Sequence, residues 1–203
     1  TVARQMLMQV QLKLNKPDEA LKSATAGDDG SVTNLVSAAR ASLMAGNTAK
    51  AIDYYQQAVK AAPNDPERKL DLALALMGAG RSADAIPVLE SVKSAQGEVK
   101  YRAQAAYYAA LARTGKVDAA RRAALDFANA NPKDSRALVI AAEGLGYAKD
   151  MTAMRQVLTQ ASEVDTTAAS PLVLLGRLAL AQNDRDGATQ SFKAALSRDA
   201  KNV

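Results

Sequence analysis

Apolar residues return along this chain at helical spacing, in paired stretches parted by a short polar turn. Leu35, Ala38, Ala39, Ser42 and Leu43 share one helical face, and beyond Gly46 the residues Ala51, Tyr55, Ala58 and Val59 share another. Each such pair predicts two helices folded back on one another. The pattern then recurs. Gly46 and Gly80 are 34 residues apart, Gly80 and Gly115 are 35 apart, and an alanine stands five after each, at Ala51, Ala85 and Ala120. Extending the period puts Lys149 and Asn183 at the turn, with Met154 and Ala188 in the alanine slot; extending it backwards puts Asn15 and Ala20 there. Six units follow, over residues 1–31, 32–65, 66–99, 101–134, 135–168 and 169–202, and with them about twelve helices and no strand.

The punctuation agrees with the periodicity. Glycine just past the first helix supplies a left-handed residue at little steric cost, and Asn47 or Thr48, Ser82 and Asp150 are candidate caps of the second helix. Pro63 and Pro132, each 17 residues after their turn glycine, close second helices, while Asp65 caps the next helix with Pro66 at its first position. A small residue five after the turn lets two backbones approach, so Ala51 and Ala188 are expected to be buried. Tyr55, Leu89, Leu158 and Phe192 are expected to fill the space between hairpins. Pro87 falls inside a second helix, where it removes a hydrogen bond and is expected to bend it.

This spacing resembles the tetratricopeptide repeat family across essentially the whole chain. In "LVLLGRLALAQNDRDGATQSFKAALSRDAKN", Leu172, Leu175, Gly176, Ala188, Phe192 and Ala195 stand at the family's characteristic places. Tyr108 stands where the family has a small residue, and is expected to open its hairpin locally. The resemblance implies an all-α, right-handed solenoid of about six helix-turn-helix repeats over residues 1–203. It also implies that the first helices line an inner concave face, the default surface for a protein or peptide partner. Counting by helical turns, that face takes Arg40 and Leu43, then Leu70, Leu74 and Met77, then Arg102, Ala105, Ala109 and Arg113. Arg136, Val139, Glu143 and Tyr147 continue it, with Val173 and Arg177 in the last unit. Arginine mixed with apolar groups suits an extended or helical peptide carrying acidic and aliphatic side chains.

The phrasing "AIPVLESVK" and "LGRLALAQND" is also similar to long bacterial repeat lipoproteins that accompany PEP-CTERM protein-sorting and exopolysaccharide systems. That likeness implies an envelope assembly or export role on the periplasmic side. The opening "TVARQMLMQVQLKLNKPDEA" reads as already helical, so the segment is expected to belong to a longer chain, with any signal or lipid anchor outside it.

Composition narrows the chemistry. The chain has no histidine and no cysteine, which removes the triad and zinc-hydrolase classes, disulfides and thiolate nucleophiles. No enzyme motif is found and no cofactor is expected. "TGK" at Thr114–Lys116 lacks the flanking glycine and hydroxyl of a phosphate-binding loop. Asp28 and Asp29, between Gly27 and Gly30, offer a cation loop without the alternating ligand series that such loops carry. No uncharged apolar run is long enough for a membrane span.

The net charge of +5 comes from 26 basic and 21 acidic residues, mostly interleaved. Arg102 and Arg113 return to within about 20° of one helical face. They read either as a solvated face or, with Arg136, as a contact for an acidic partner. The lysine–asparagine pair by which some of these repeats grip a terminal carboxylate is missing. Nucleic acid is disfavoured because the positive charge is discontinuous and stacking aromatics are sparse.

Overall fold

The computed structural model describes residues 2–26 and 30–199. The described residues form helices without strands, in the order α1 (Val2–Lys13), α2 (Pro17–Thr25), α3 (Val32–Met44), α4 (Thr48–Ala61), α5 (Pro66–Gly78) and α6 (Ser82–Glu90). There follow α7 (Glu98–Arg113), α8 (Val117–Ala130), α9 (Ser135–Tyr147), α10 (Met151–Val164), α11 (Ser170–Ala181) and α12 (Arg185–Asp199).

All six turns are built alike. Asn15, Gly46, Gly80, Gly115, Lys149 and Asn183, the positions marked by the period, carry positive φ between 56° and 76°. In each, the next N–H reaches back five residues, as in Asn47 N–H to Ser42 O at 2.8 Å and Asp150 N–H to Leu145 O at 3.0 Å. That is the Schellman closure, which satisfies carbonyls that the helix end leaves unpaired. Helix starts are capped by side chains that accept backbone N–H groups: Ser31 from Asn34, Asn47 from Lys50, Asp65 from Glu67, Asp134 from Ala137 and Asp150 from Ala153.

One detail differs from the sequence reading. Ser82 is no cap: Arg81 holds that place without a side-chain cap bond, and Ser82 is buried inside the first turn. The helix that contains Pro87 is nine residues long, against 14 in α4, α8 and α10.

The chain forms two compact units, Thr1–Ala103 and Gln104–Val203, which part inside α7. In the first, α1 packs on α2, α3 on α4 and α5 on α6, while α2 with α3 and α4 with α5 join successive hairpins. In the second, α9 packs on α10 and α11 on α12, and α8 with α9 and α10 with α11 make the junctions. The alanine slot does what its size requires. Ala20, Ala51, Ala85, Ala120 and Ala188 are all buried, as are Tyr55, Leu89 and Leu158.

Tyr108 is wholly buried, and room for its ring comes from glycine. A Cβ on Gly144 of α9 would stand 2.6 Å from Tyr108 Cδ2 and 2.9 Å from Ala124 Cβ. Glycine plays the same part under Phe192, whose ring would lie 2.6 Å from a Cβ on Gly176. Burial pushes the Tyr108 hydroxyl far above its usual range.

Candidate functional site

In the first unit, the open side of the first helices is an ordered charge cluster beside an apolar cavity. Arg68, on the first turn of α5, donates to Asp65 Oδ2 at 3.2 Å and to Asp71 Oδ2 at 2.9 Å. Arg102 donates to Glu67 Oε2 at 3.1 Å. The charge of Arg40 of α3 acts on both the Tyr55 hydroxyl and the Asp71 carboxyl, opposing their upward shifts. Burial raises the Asp71 carboxyl above the usual carboxylate range, with Arg68 and Arg40 opposing the shift. Burial, then the Asp71 charge, pushes the Tyr55 hydroxyl up as well.

Beside this cluster lies a cavity of about 320 Å³, lined by Leu43, Thr48, Tyr55, Asp71, Leu74, Ala75 and Gly78. Leu43 and Leu74, 39% and 40% exposed, are apolar side chains kept open to solvent beside it. A second recess, of about 340 Å³, runs along Arg40, Val36 and Thr33 to Asp65 and Arg68.

The sequence-assigned face divides on inspection. Arg40, Leu43, Leu74 and Arg102 are exposed. Leu70 is fully buried and Met77 is 8% exposed, so both belong to the core and not to an accessible groove. The reason is angular. Leu70, Met77 and Leu74 span about 60° of α5 at 100° per residue, and the solvent-facing edge continues past Leu74 towards Asp71 and Gly78, not back towards Met77. Asp71 and Glu67, the partly buried carboxylates of the charge cluster, were not on the sequence-assigned face. A signal was there in "KLDLALAL", where one carboxylate interrupts an apolar run.

In the second unit Ala105 and Ala109 are half-buried, and Arg113 is exposed. Arg136 and Val139 line a recess of about 360 Å³ with Ser135, Ile140, Asp165, Ala168 and Ser170. Glu143 and Tyr147 are exposed on the same helix, and partial burial holds the Glu143 carboxyl above the usual carboxylate range. Val173 is half-buried and Arg177 exposed. Arg102 therefore lies in one unit, and Arg113 and Arg136 in the other.

Gly27, Asp28 and Asp29 of the proposed cation loop lie outside the described residues. Among the described residues no three or more Asp and Glu side chains gather where they could hold a metal ion, and no helix is long and apolar enough to cross a membrane.

Three profiles of the tetratricopeptide repeat match residues 42–113, 6–66 and 169–202, together more than half of the sequence. The chain belongs to the tetratricopeptide repeat family. Solved structures with the same repeat fold include MamA, residues 41 to the end, from Desulfovibrio magneticus RS-1, with a TM-score of 0.56 and 18% identity over 85% of this chain and 97% of that one. PilW, described as a widely conserved type IV pilus biogenesis factor, gives 0.64 and 16% over 93% and 89%. YrrB, described as a tetratricopeptide repeat protein with an unusual peptide-binding site, gives 0.55 and 17% over 80% and 85%. At such identities the likeness concerns the repeat fold alone. No curated protein matches the chain.

Proposed function

We propose that this tetratricopeptide repeat chain is a non-catalytic scaffold that holds a peptide or protein partner on the open side of its first helices. The observation that carries the reading is the cavity beside Leu43 and Leu74, where two exposed leucines stand over Asp71 and Tyr55. Apolar side chains kept open next to a few oriented polar groups are what a peptide anchor needs. The peptide-binding site in the description of YrrB supports the same use of the fold.

The test is binding to a displayed peptide library, followed by Leu43→Glu with Leu74→Glu. The expected loss is at least tenfold, about 1.4 kcal/mol, with helicity unchanged. Lysines on second helices, Lys60 and Lys193, serve as the control pair. Equal losses from both pairs, or none from the leucines, would overturn the reading.

A second reading, an envelope assembly module for sorted protein or exopolysaccharide on the periplasmic side, draws support from the fold of PilW, a pilus biogenesis factor. It also draws on the phrasing shared with PEP-CTERM repeat lipoproteins. Fractionation of the native producer separates the two: a partner bound in the cytoplasm removes the envelope role and leaves the peptide role intact.

A further inference from the structure

Asp71 carries a charge that the repeat itself does not require. The period carries its position onto Met6, Ser37, Ala106, Ile140 and Leu174, none of them charged. In the cavity beside Leu43 and Leu74, Asp71 is the one charged residue of the lining, with Leu43, Leu74 and Ala75 as apolar walls and the hydroxyls of Thr48 and Tyr55 beside it. Its side chain is only 12% exposed.

The arginines nearby leave that carboxylate half satisfied. Arg68 donates to Asp71 Oδ2 at 2.9 Å, and among the described residues no donor is found on Oδ1. Arg40 and Arg68 line the neighbouring recess with Thr33 and Val36, and neither of them lines the cavity. The cluster is thus polarised, with guanidinium groups towards the recess and a carboxylate towards the cavity. Burial outweighs the arginines at Asp71 and keeps its carboxyl above the usual carboxylate range.

Any group that fills the cavity removes water from this carboxylate. An apolar anchor would leave it desolvated with one oxygen unpartnered, which is unfavourable, and an acidic anchor would add a like charge. A cation offsets the loss. Because Arg68 already occupies Oδ2, the two-oxygen grip that suits a guanidinium fork is closed, whereas an ammonium group is a point charge with three donors. Thr48 and Tyr55 add hydroxyl acceptors on the same lining. The apolar walls suit the four-carbon stem that carries the ammonium group.

We propose that the cavity is a lysine pocket, in which the peptide held on this face anchors through a lysine side chain whose ammonium group binds Asp71. The inference rests on the peptide-scaffold reading and adds to it the chemistry of the anchor.

The experiment takes a binder from the displayed peptide library, locates its anchor by alanine scanning, and measures by calorimetry versions with lysine, norleucine, acetyl-lysine or tryptophan at that place. Norleucine keeps the four-carbon stem without the charge. Lysine is expected to bind at least tenfold more tightly than each of the other three, as a charge-assisted hydrogen bond sheltered from water should. Against Asp71→Asn, which keeps the side-chain shape, the lysine and norleucine versions are expected to agree within about twofold, and norleucine to bind as it does to the parent. Equal or tighter binding of norleucine, acetyl-lysine or tryptophan to the parent overturns the proposal without recourse to any variant. A lysine preference that survives Asp71→Asn assigns the cation to another carboxylate and overturns it too. Both outcomes leave the scaffold reading in place while Leu43→Glu with Leu74→Glu still weakens the peptide; equal binding to that double variant overturns the scaffold reading and the lysine pocket with it.

Discussion

Lys149 holds φ at 58° in a turn whose counterparts at Gly46, Gly80 and Gly115 are glycine. A side chain in the left-handed region crowds its own backbone, and glycine escapes that cost. Lys149→Gly should therefore stabilise the protein by about 0.5–1 kcal/mol, while Gly80→Val, which puts a β-branched side chain in the same conformation, should destabilise it. Urea unfolding measures both; a destabilising Lys149→Gly would mean that the lysine side chain makes contacts worth more than the strain. The turn residues were legible from spacing alone, because one backbone conformation recurs while the side chain at it changes. Ser82 was misread for the converse reason: serine is a common cap, but here the residue before it occupies the cap position.

Hairpins close on glycine where a large ring must fit. At the α11–α12 contact a methyl group on Gly176 would meet Phe192 Cε1 at 2.6 Å, so Gly176→Ala should cost about 1–3 kcal/mol by overpacking. Phe192→Leu shortens the offending side chain, so the double variant should lose less than the sum of the singles. Strict additivity in urea melts would show that the two residues do not compete for space. One tie between hairpins is electrostatic. Asp150 accepts the N–H of Ala153 as the cap of α10 and also binds Arg121 of α8 at 2.6 Å. Those hydrogen bonds hold its carboxyl below the usual carboxylate range. A group depressed in the folded state contributes stability above its unfolded pKa and loses it as pH falls through the folded value. Asp150→Asn, which keeps a capping oxygen, should thus be less stable than the parent at pH 7, with the gap closing under acid. A gap constant down to pH 2 would assign the loss to geometry and not to charge.

At the scale of the whole molecule, the repeat fold could be read from periodicity because each hairpin repeats the same local solution. The site was legible only in part, because which edge of a first helix stays open depends on how its neighbours sit. Leu70 and Met77 lie on the expected helix but are buried, whereas Leu43 and Leu74 are open to solvent. Charge was harder still. The surplus of +5 pointed to an acidic partner through Arg102, yet Arg102 is paired with Glu67, and Arg68 with Asp65 and Asp71. An acidic ligand must compete with Glu67 for Arg102, and the exposed pair itself contributes at most about 1 kcal/mol to stability. Glu67→Gln should consequently tighten an acidic peptide several-fold and leave the melting temperature nearly unchanged, while Arg102→Ala weakens the same peptide. Both effects should shrink at high salt, since the pair is open to solvent. Titration of an acidic and a basic version of one selected peptide decides the matter. If Glu67→Gln instead weakens the acidic version or leaves it unmoved, Arg102 serves to orient Glu67, and the ligand charge read from the surplus is wrong for the first unit.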